Sequence, residues 1–397
     1  MRATWEVAGL FLKLGVTAFG GPAAHIAMMR REVVDRRKWM TEEAFLDLLG
    51  ATNLIPGPNS TEMALHVGYV RAGWPGFILS GLAFIIPAML MVSGLAWAYV
   101  RSGAAPQLGW LLYGVKPVVT ALIVQAVWIL GRKALRDVPG KLVFVAILAL
   151  YFLGANEIAL LLGGGFASLC VFRGNRDDGN DRSVRNARNA GGGDGIVKAA
   201  TLAVAGAAAP GAVLAGAAAP AMPFTLTLLF LKFLKIGAVM YGSGYVLLPF
   251  LRAGFAGHTG WLSEAQVLDA VAAGQFTPGP FFTTASFIGY VLGGMPGAVL
   301  ATVGIFLPAF VFVAASNPFI PRIRDSRNVG RFLDGVNGAS LALMTGAAAQ
   351  AGKACIVDGT TAGLAALALY LLIRRNAPST WLLAGGGLIG IAAKSLA

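Results

Sequence analysis

The sequence predicts an all-α polytopic membrane protein built from two homologous helical units in an inverted-topology repeat, each with a broken, re-entrant hairpin at a Pro-Gly-Pro turn. Three observations carry that prediction: an apolar composition, a long-range repeat of glycines and prolines, and a reversal of loop charge between the two halves.

Of 397 residues, 57% are hydrophobic and 12% charged, and the mean hydropathy is +0.71. Such a surplus of apolar surface has to face lipid. Pro75 to Val100 and Gln107 to Leu130 carry almost no charge and are long enough to cross a hydrocarbon core of roughly 30 Å. The net charge of +13 collects in short connections, which reads as membrane topology and not as a nucleic-acid surface. Met1 to Leu14 lacks the charged, apolar, small-residue order of a cleaved signal, so nothing is expected to be removed, and Phe11 to Met29 is expected to form the first span. Cys170 and Cys355 have neither disulfide-framework nor metal-type spacing. The chain has no G-x-x-x-x-G-K-[ST], no H-E-x-x-H and no nucleotide-binding fingerprint, and its three histidines and 18 acids are scattered. No catalytic residue, metal or cofactor is expected, and transport would draw on an ion gradient or the membrane potential.

Self-comparison shows the repeat. Phe19-Gly20-Gly21 returns 222 positions later as Tyr241-Gly242-Ser243, Trp39-Met40-Thr41-Glu42 as Trp261-Leu262-Ser263-Glu264, and Ile55-Pro56-Gly57-Pro58 as Thr277-Pro278-Gly279-Pro280. After a one-residue gap, Gly68-Tyr69, Pro75-Gly76 and Pro87 match Gly289-Tyr290, Pro296-Gly297 and Pro308. The units are 1–172 and 223–397. The connection 173–222 begins as a polar linker and continues as an Ala/Gly/Pro stretch, Ala199 to Ala219, expected at the membrane surface.

Equivalent loops carry opposite charge. Arg30, Arg31, Arg36, Arg37 and Lys38 correspond to Arg252 alone, and Arg101 alone to Arg322, Arg324, Arg327 and Arg331. Likewise Arg132, Lys133, Arg136 and Lys141 face Lys353 alone. Since basic loops prefer the cytoplasm, the halves are expected to be inverted. Parity then makes 44–71 begin and end on the cytoplasmic side; its two arms each reach about half a bilayer, so a re-entrant pair of half-helices fits best, and a pair of tilted full spans has the same parity. A turn at Gly154-Ala155-Asn156-Glu157 splits the apolar block after Leu142. Five crossings per unit, ten in all, with both chain ends outside, are expected.

Proline lacks an N–H and fixes φ, while glycine permits a sharp turn, so each Pro-Gly-Pro stops one half-helix and starts another near the midplane. The starts after the turns, Asn59-Ser60-Thr61 and Phe281-Phe282-Thr283-Thr284, offer backbone amides, hydroxyls and the positive end of a helix dipole, an anion site of the helix-N-terminus type. The expected substrate-binding residues are Gly20, Gly21, Asn53, Pro56, Gly57, Pro58, Asn59, Ser60 and Thr61 in one unit. In the other they are Gly242, Ser243, Gly244, Gln275, Pro278, Gly279, Pro280, Thr283 and Thr284. The glycine runs read equally well as close helix packing. Lys13 and Lys235, equivalent in the repeat, put charge inside apolar first spans, where they would either counter a dianion or snorkel to the surface. Glu62 and His66, one helical turn apart, are candidates for carrying a coupling proton, although Asn59-x-x-Glu62 also has the form of a capping box, the stronger reading. His25 reads as a hydrogen-bonded packing residue more readily than as a coupling group.

Phe19-Gly20-Gly21-Pro22-Ala23-Ala24-His25, Asn53-Leu54-Ile55-Pro56-Gly57-Pro58-Asn59-Ser60-Thr61-Glu62 and Gln275-Phe276-Thr277-Pro278-Gly279-Pro280 resemble the chromate transporter family in its long two-domain form. The resemblance implies chromate efflux across the bacterial inner membrane, conferring resistance, with sulfate as a competing tetrahedral analogue and a proton gradient or the potential as driving force. The expected partners are the oxyanion, protons, the lipid bilayer and a second copy of the chain, with no nucleic acid. An anion uptake carrier, an uncoupled channel and, more distantly, a membrane-embedded enzyme are the competing readings.

Overall fold

The computed structural model describes residues 2–19, 21–101, 106–135, 138–171, 223–241, 244–257, 260–316, 327–375 and 377–395. The linker 173–222, the sites Gly20, Gly242 and Ser243, and Cys170, Arg136, Arg322 and Arg324 lie wholly or in their side chains outside that description. Every regular element among the described residues is helical.

The first half comprises α1 (Arg2–Thr17), α2 (Gly21–Arg30), a π-helical turn (Arg31–Arg36), α3 (Glu42–Thr52), α4 (Asn59–Arg101), α5 (Pro106–Ala134), α6 (Val138–Phe152) and α7 (Glu157–Val171). The second comprises α8 (Leu226–Val239), the 3₁₀ turn Gly244–Val246, α9 (Leu247–Leu251), a π-helical turn (Arg252–Gly257), α10 (Glu264–Phe276), the 3₁₀ turn Phe281–Thr283, α11 (Thr284–Ser316), α12 (Arg327–Cys355), α13 (Gly359–Arg374) and α14 (Ser379–Ser395).

The halves repeat in detail. Thr41 caps α3 by accepting from the Ala44 amide, and its equivalent Ser263 caps α10 with a reciprocal bond to Gln266, each cap contributing about 1 kcal/mol. Arg30 Nη2 pairs with Glu42 at 2.6 Å, and the equivalent Arg252 Nε pairs with Glu264 at 2.5 Å. Both α4 and α11 are two arms joined by a sharp reversal. Ala72 and Gly73 have φ −143° and +60°, and Gly293 and Gly294 repeat this at −143° and +61°. Only glycine adopts such a positive φ without strain, so the reversal is written into both sequences. Past it the arms lie back to back, Gly68 against Gly76 and Gly289 against Gly297, where a side chain would drive the backbones apart. The arms are called α4a (59–71), α4b (74–101), α11a (284–292) and α11b (295–316).

The first span expected at Phe11 to Met29 is not formed. A helix continuous from Lys13 to Glu32 would separate them by about 28 Å, yet Lys13 Nζ lies 3.0 Å from Glu32 Oε1. The chain breaks after Thr17 and α2 folds back, so that Glu6 of α1 meets Arg71 at 2.8 Å while Arg71 and Arg37 both cover the Trp39 ring. The second half folds back identically: Lys232 Nζ reaches the Gly254 carbonyl at 3.1 Å, and the Phe224 and Trp261 rings meet at 5.2 Å. A carbonyl ladder interrupted at a glycine lets the helix reverse, which a span read from hydropathy alone does not reveal. Three helices, Asn59–Arg101, Gly109–Arg132 and Phe281–Ser316, are long and apolar enough to cross a membrane.

The described chain groups into two compact units, one of Met1–Ala126, Pro220–Pro321 and Ala347–Ala397, the other of Val127–Ala219 and Arg322–Gly346. In the first, Val7, Leu10, Phe11 and Leu14 form one helical stripe of α1 that packs with Met29, Val33, Met63 and Phe84. Gly15 lies on the carbonyls of Ala83 and Phe84, as Gly237 lies on that of Ile305, bringing α1 onto α4b and α8 onto α11b. In the second unit, Gly164 and Gly165 of α7 pack against Gly335, Phe332 and Val336 of α12.

Candidate functional site

The two Pro-Gly-Pro turns lie in the first unit, and each reaches the other half. Gly57 N–H donates to the Met240 carbonyl at 2.8 Å, and Gly279 N–H donates to the Ala18 carbonyl at 2.9 Å. Ala18 and Met240 end the broken helices α1 and α8 and are equivalent in the repeat, as Gly57 and Gly279 are. Their carbonyls are available because the helix stops there. Gly57 has φ +140° and Gly279 +90°, so glycine is required at both turns. Alanine contacts repeat too: Gly57 stands over Ala309 and Gly279 over Ala88, again equivalent positions.

Several of the turn amides expected to be free are taken by protein carbonyls. The two glycine amides are held by protein carbonyls, and Thr61 N–H, Glu62 N–H and Thr283 N–H turn back to the Pro58 and Pro280 carbonyls. Thr283 Oγ1 and Thr284 Oγ1 donate to the Pro280 and Phe281 carbonyls, each at 2.8 Å. Thr277, Pro278, Gly279 and Pro280 are buried, Gln275 is half-buried, and Gly244 packs on the Phe281 ring.

The first turn is more open. Pro56 and Asn59 are half-buried, Asn53 is exposed, and Asn59 Nδ2 donates to Asn53 Oδ1 at 2.8 Å across the turn. Ser60 is buried, and Thr61 Oγ1 is buried without a hydrogen-bond partner. Gly21, with φ +80°, opens α2.

Glu62 corrects the sequence reading. Both carboxylate oxygens are buried and hydrogen-bond to nothing, so no capping box with Asn59 exists. The helix begins on the Pro58 carbonyl, which places Asn59 inside the first turn and sends its side chain to Asn53. The carboxylate instead covers Gly57, so that an added Cβ at Gly57 would strike Oε1, and Tyr241 lies within its field. His66 is fully buried on the same helical face. His25 Nε2 meets the Ala18 carbonyl at 3.0 Å, the same oxygen that accepts Gly279 N–H, and its ring stands edge-on to Phe84.

The lysines do not face the turns. Lys13 is bound to Glu32, which Arg36 and Arg37 also hold at 2.8 and 3.4 Å. Burial pushes the Glu32 carboxyl up, but the hydrogen bonds from Lys13, Arg36 and Arg37 prevail and hold it at about 2. Lys235 is exposed, and the lysine one turn before it, Lys232, takes the Gly254 carbonyl, at the position equivalent to Glu32.

Sequence reasoning missed a buried ion pair, Lys116 with Asp269, joined by Tyr99. Its partners lie 153 positions apart and are not equivalent in the repeat, so self-comparison gives no sign of it.

No solved structure matches this chain. A chromate transport protein of Cupriavidus metallidurans is 31% identical over 388 residues, 97% of this chain and 92% of that protein. A chromate transport protein of Pseudomonas aeruginosa is 35% identical over 341 residues, 84% of this chain and 77% of its own length. An uncharacterized transporter of Bacillus subtilis, YwrA, is 30% identical over 128 residues, 32% of this chain and 72% of that protein. The sequence profile described as Chromate transporter matches twice, over residues 5–169 and 227–391, one match for each half whose turns cross at Ala18 and Met240, and the chain belongs to the chromate transporter family.

Proposed function

We propose that the chain is a secondary carrier that moves chromate out of the cytoplasm, with sulfate as a competing tetrahedral dianion, and that the oxyanion binds where the two Pro-Gly-Pro turns cross. The reciprocal pair of bonds, Gly57 to Met240 and Gly279 to Ala18, supports this reading, because it ties the turn that precedes each helix start to the end of the other half's broken helix. The first turn is the better ligand: Asn59 is half-buried and the Thr61 hydroxyl is unpartnered, whereas the Thr283 and Thr284 hydroxyls of the second turn are taken by the Pro280 and Phe281 carbonyls. Buried Glu62 adjoins it, and a dianion and an ionised carboxylate repel each other there. Substrate and proton thus leave together, and because the loaded site still carries net negative charge outward, the membrane potential, negative inside, drives the efflux.

The reversed loop charges support inserting the two halves in opposite orientations in the bacterial inner membrane, each Pro-Gly-Pro pair of arms being re-entrant. The arms fit this in length, since α3 has 11 residues and α10 has 13, about half of a bilayer at 1.5 Å per residue. With α1 and α2 folded back, four crossings per half, α4b to α7 and α11b to α14, replace the five expected from the sequence.

Proteoliposomes loaded with chromate or sulfate under imposed proton gradients and potentials test the reading. Saturable chromate flux that follows an imposed potential, changes with the pH on the loading side and is inhibited by sulfate is expected. Flux that neither saturates nor responds to the gradient makes the protein a channel, and inward-only movement makes it an uptake carrier.

A further inference from the structure

Away from the turns and the Glu32 cluster, a buried carboxylate in the first unit is paired with a half-buried ammonium. Asp269, on α10 and 5% exposed, accepts from Tyr99 Oη at 2.9 Å and pairs with Lys116 Nζ at 2.8 Å. Lys116 belongs to α5 and Tyr99 to the last turn of α4b, while the Tyr99 ring lies 5.2 Å from Phe287 of α11a. The cluster therefore ties α4b and α5 to both arms around the second Pro-Gly-Pro turn. Arg252, held by Glu264 and Gln350, and the Cys355 thiol stand beside it.

A buried ion pair seldom stabilises a fold, since desolvation offsets the attraction. If the architecture needed this one, both halves would carry it. Asp47 does occupy the position equivalent to Asp269, but it is exposed, and Asn337 stands where Lys116 would have to be. The pair can form only once. Asp269 precedes Gly279 by ten residues of chain, seven of them helical, so its Cα lies within about 20 Å of the turn, on the arm that leads to it.

We propose that Lys116 is a second station for the oxyanion, and that Asp269 is a built-in competitor occupying it between substrates. A dianion moving between the crossing and the surface takes the ammonium from Asp269, and Asp269 recloses the station as the dianion leaves. An ammonium with three donors and a rotating head suits a tetrahedral oxyanion, and Tyr99 steadies the carboxylate that guards it. This rests on the carrier reading, but it makes a separate demand. The two partners of one ion pair must affect anion affinity in opposite directions.

Sulfate and chromate binding to the purified chain in detergent, read as the half-saturating concentration for thermal stabilisation, tests it independently of flux. Lys116→Gln is expected to raise that concentration about tenfold, and Asp269→Asn to lower it several-fold. Tyr99→Phe, which leaves no charge unpaired, should lower it two- to threefold. The swap Lys116→Asp with Asp269→Lys should restore melting temperature but not affinity. Shifts of the same sign in Lys116→Gln and Asp269→Asn, an unmoved Tyr99→Phe, a swap that restores affinity, or no binding by the unaltered chain overturn the proposal. Binding without flux in liposomes sinks the carrier reading alone.

Discussion

The Gly57 amide donates to the Met240 carbonyl at 2.8 Å, and 222 positions away the same bond forms between the equivalent residues with the halves exchanged. The bonds tie each turn to the end of the other half's broken helix, a reciprocal relation between equivalent residues.

Substituting either turn glycine breaks that relation. In Gly57→Ala the new Cβ strikes Glu62, and in Gly279→Ala it lies 2.6 Å from the Ala88 Cβ, with positive φ adding about 1 to 3 kcal/mol of strain at each. Chromate flux in proteoliposomes should fall at least tenfold. Pro58→Ala and Pro280→Ala, which loosen the turns without a clash, should insert normally and lose flux more mildly. Wild-type rates in all four would remove the turns from the site.

Glu62→Gln separates binding from coupling. The amide keeps the volume of the buried side chain and removes its proton chemistry, so exchange of chromate across the liposome should persist while dependence on external pH disappears. Flux with an unaltered pH profile rules Glu62 out as the proton carrier.

The Glu32 cluster predicts a pH dependence of stability. Its carboxyl is depressed from 4.5 to about 2 in the folded chain, so its contribution is complete above about pH 4.5 and is lost as pH falls toward 2. Allowing for solvent screening at exposed Lys13 and Arg36, about 1 to 2 kcal/mol should disappear over that window. Thermal unfolding in detergent between pH 5 and 3 should show a slope in the unaltered chain that Glu32→Gln lacks; equal slopes would contradict the assignment.

Much of this was legible in the sequence. Pro56-Gly57-Pro58 and Pro278-Gly279-Pro280 announced helix stops because proline and glycine act locally, and the 222-residue offset paired them. The fold-back of α1 and α2 was not legible: a glycine break inside an apolar stretch looks the same whether the helix continues or reverses, and only the Lys13 to Glu32 contact distinguishes them. Asn59-x-x-Glu62 misled for a related reason, since Pro58 moved the helix start one residue earlier. Lys116 with Asp269 depends on packing between distant, non-equivalent positions.

Opposed insertion of the halves is most directly tested by membrane-impermeant maleimide labelling in intact cells. The substrate is a chain lacking Cys170 and Cys355, with single cysteines placed in turn at Asp35 and Ala256. Labelling of the Ala256 position alone is the predicted result; labelling of both or of neither puts the two loops in one compartment and contradicts a shared site reached from opposite leaflets.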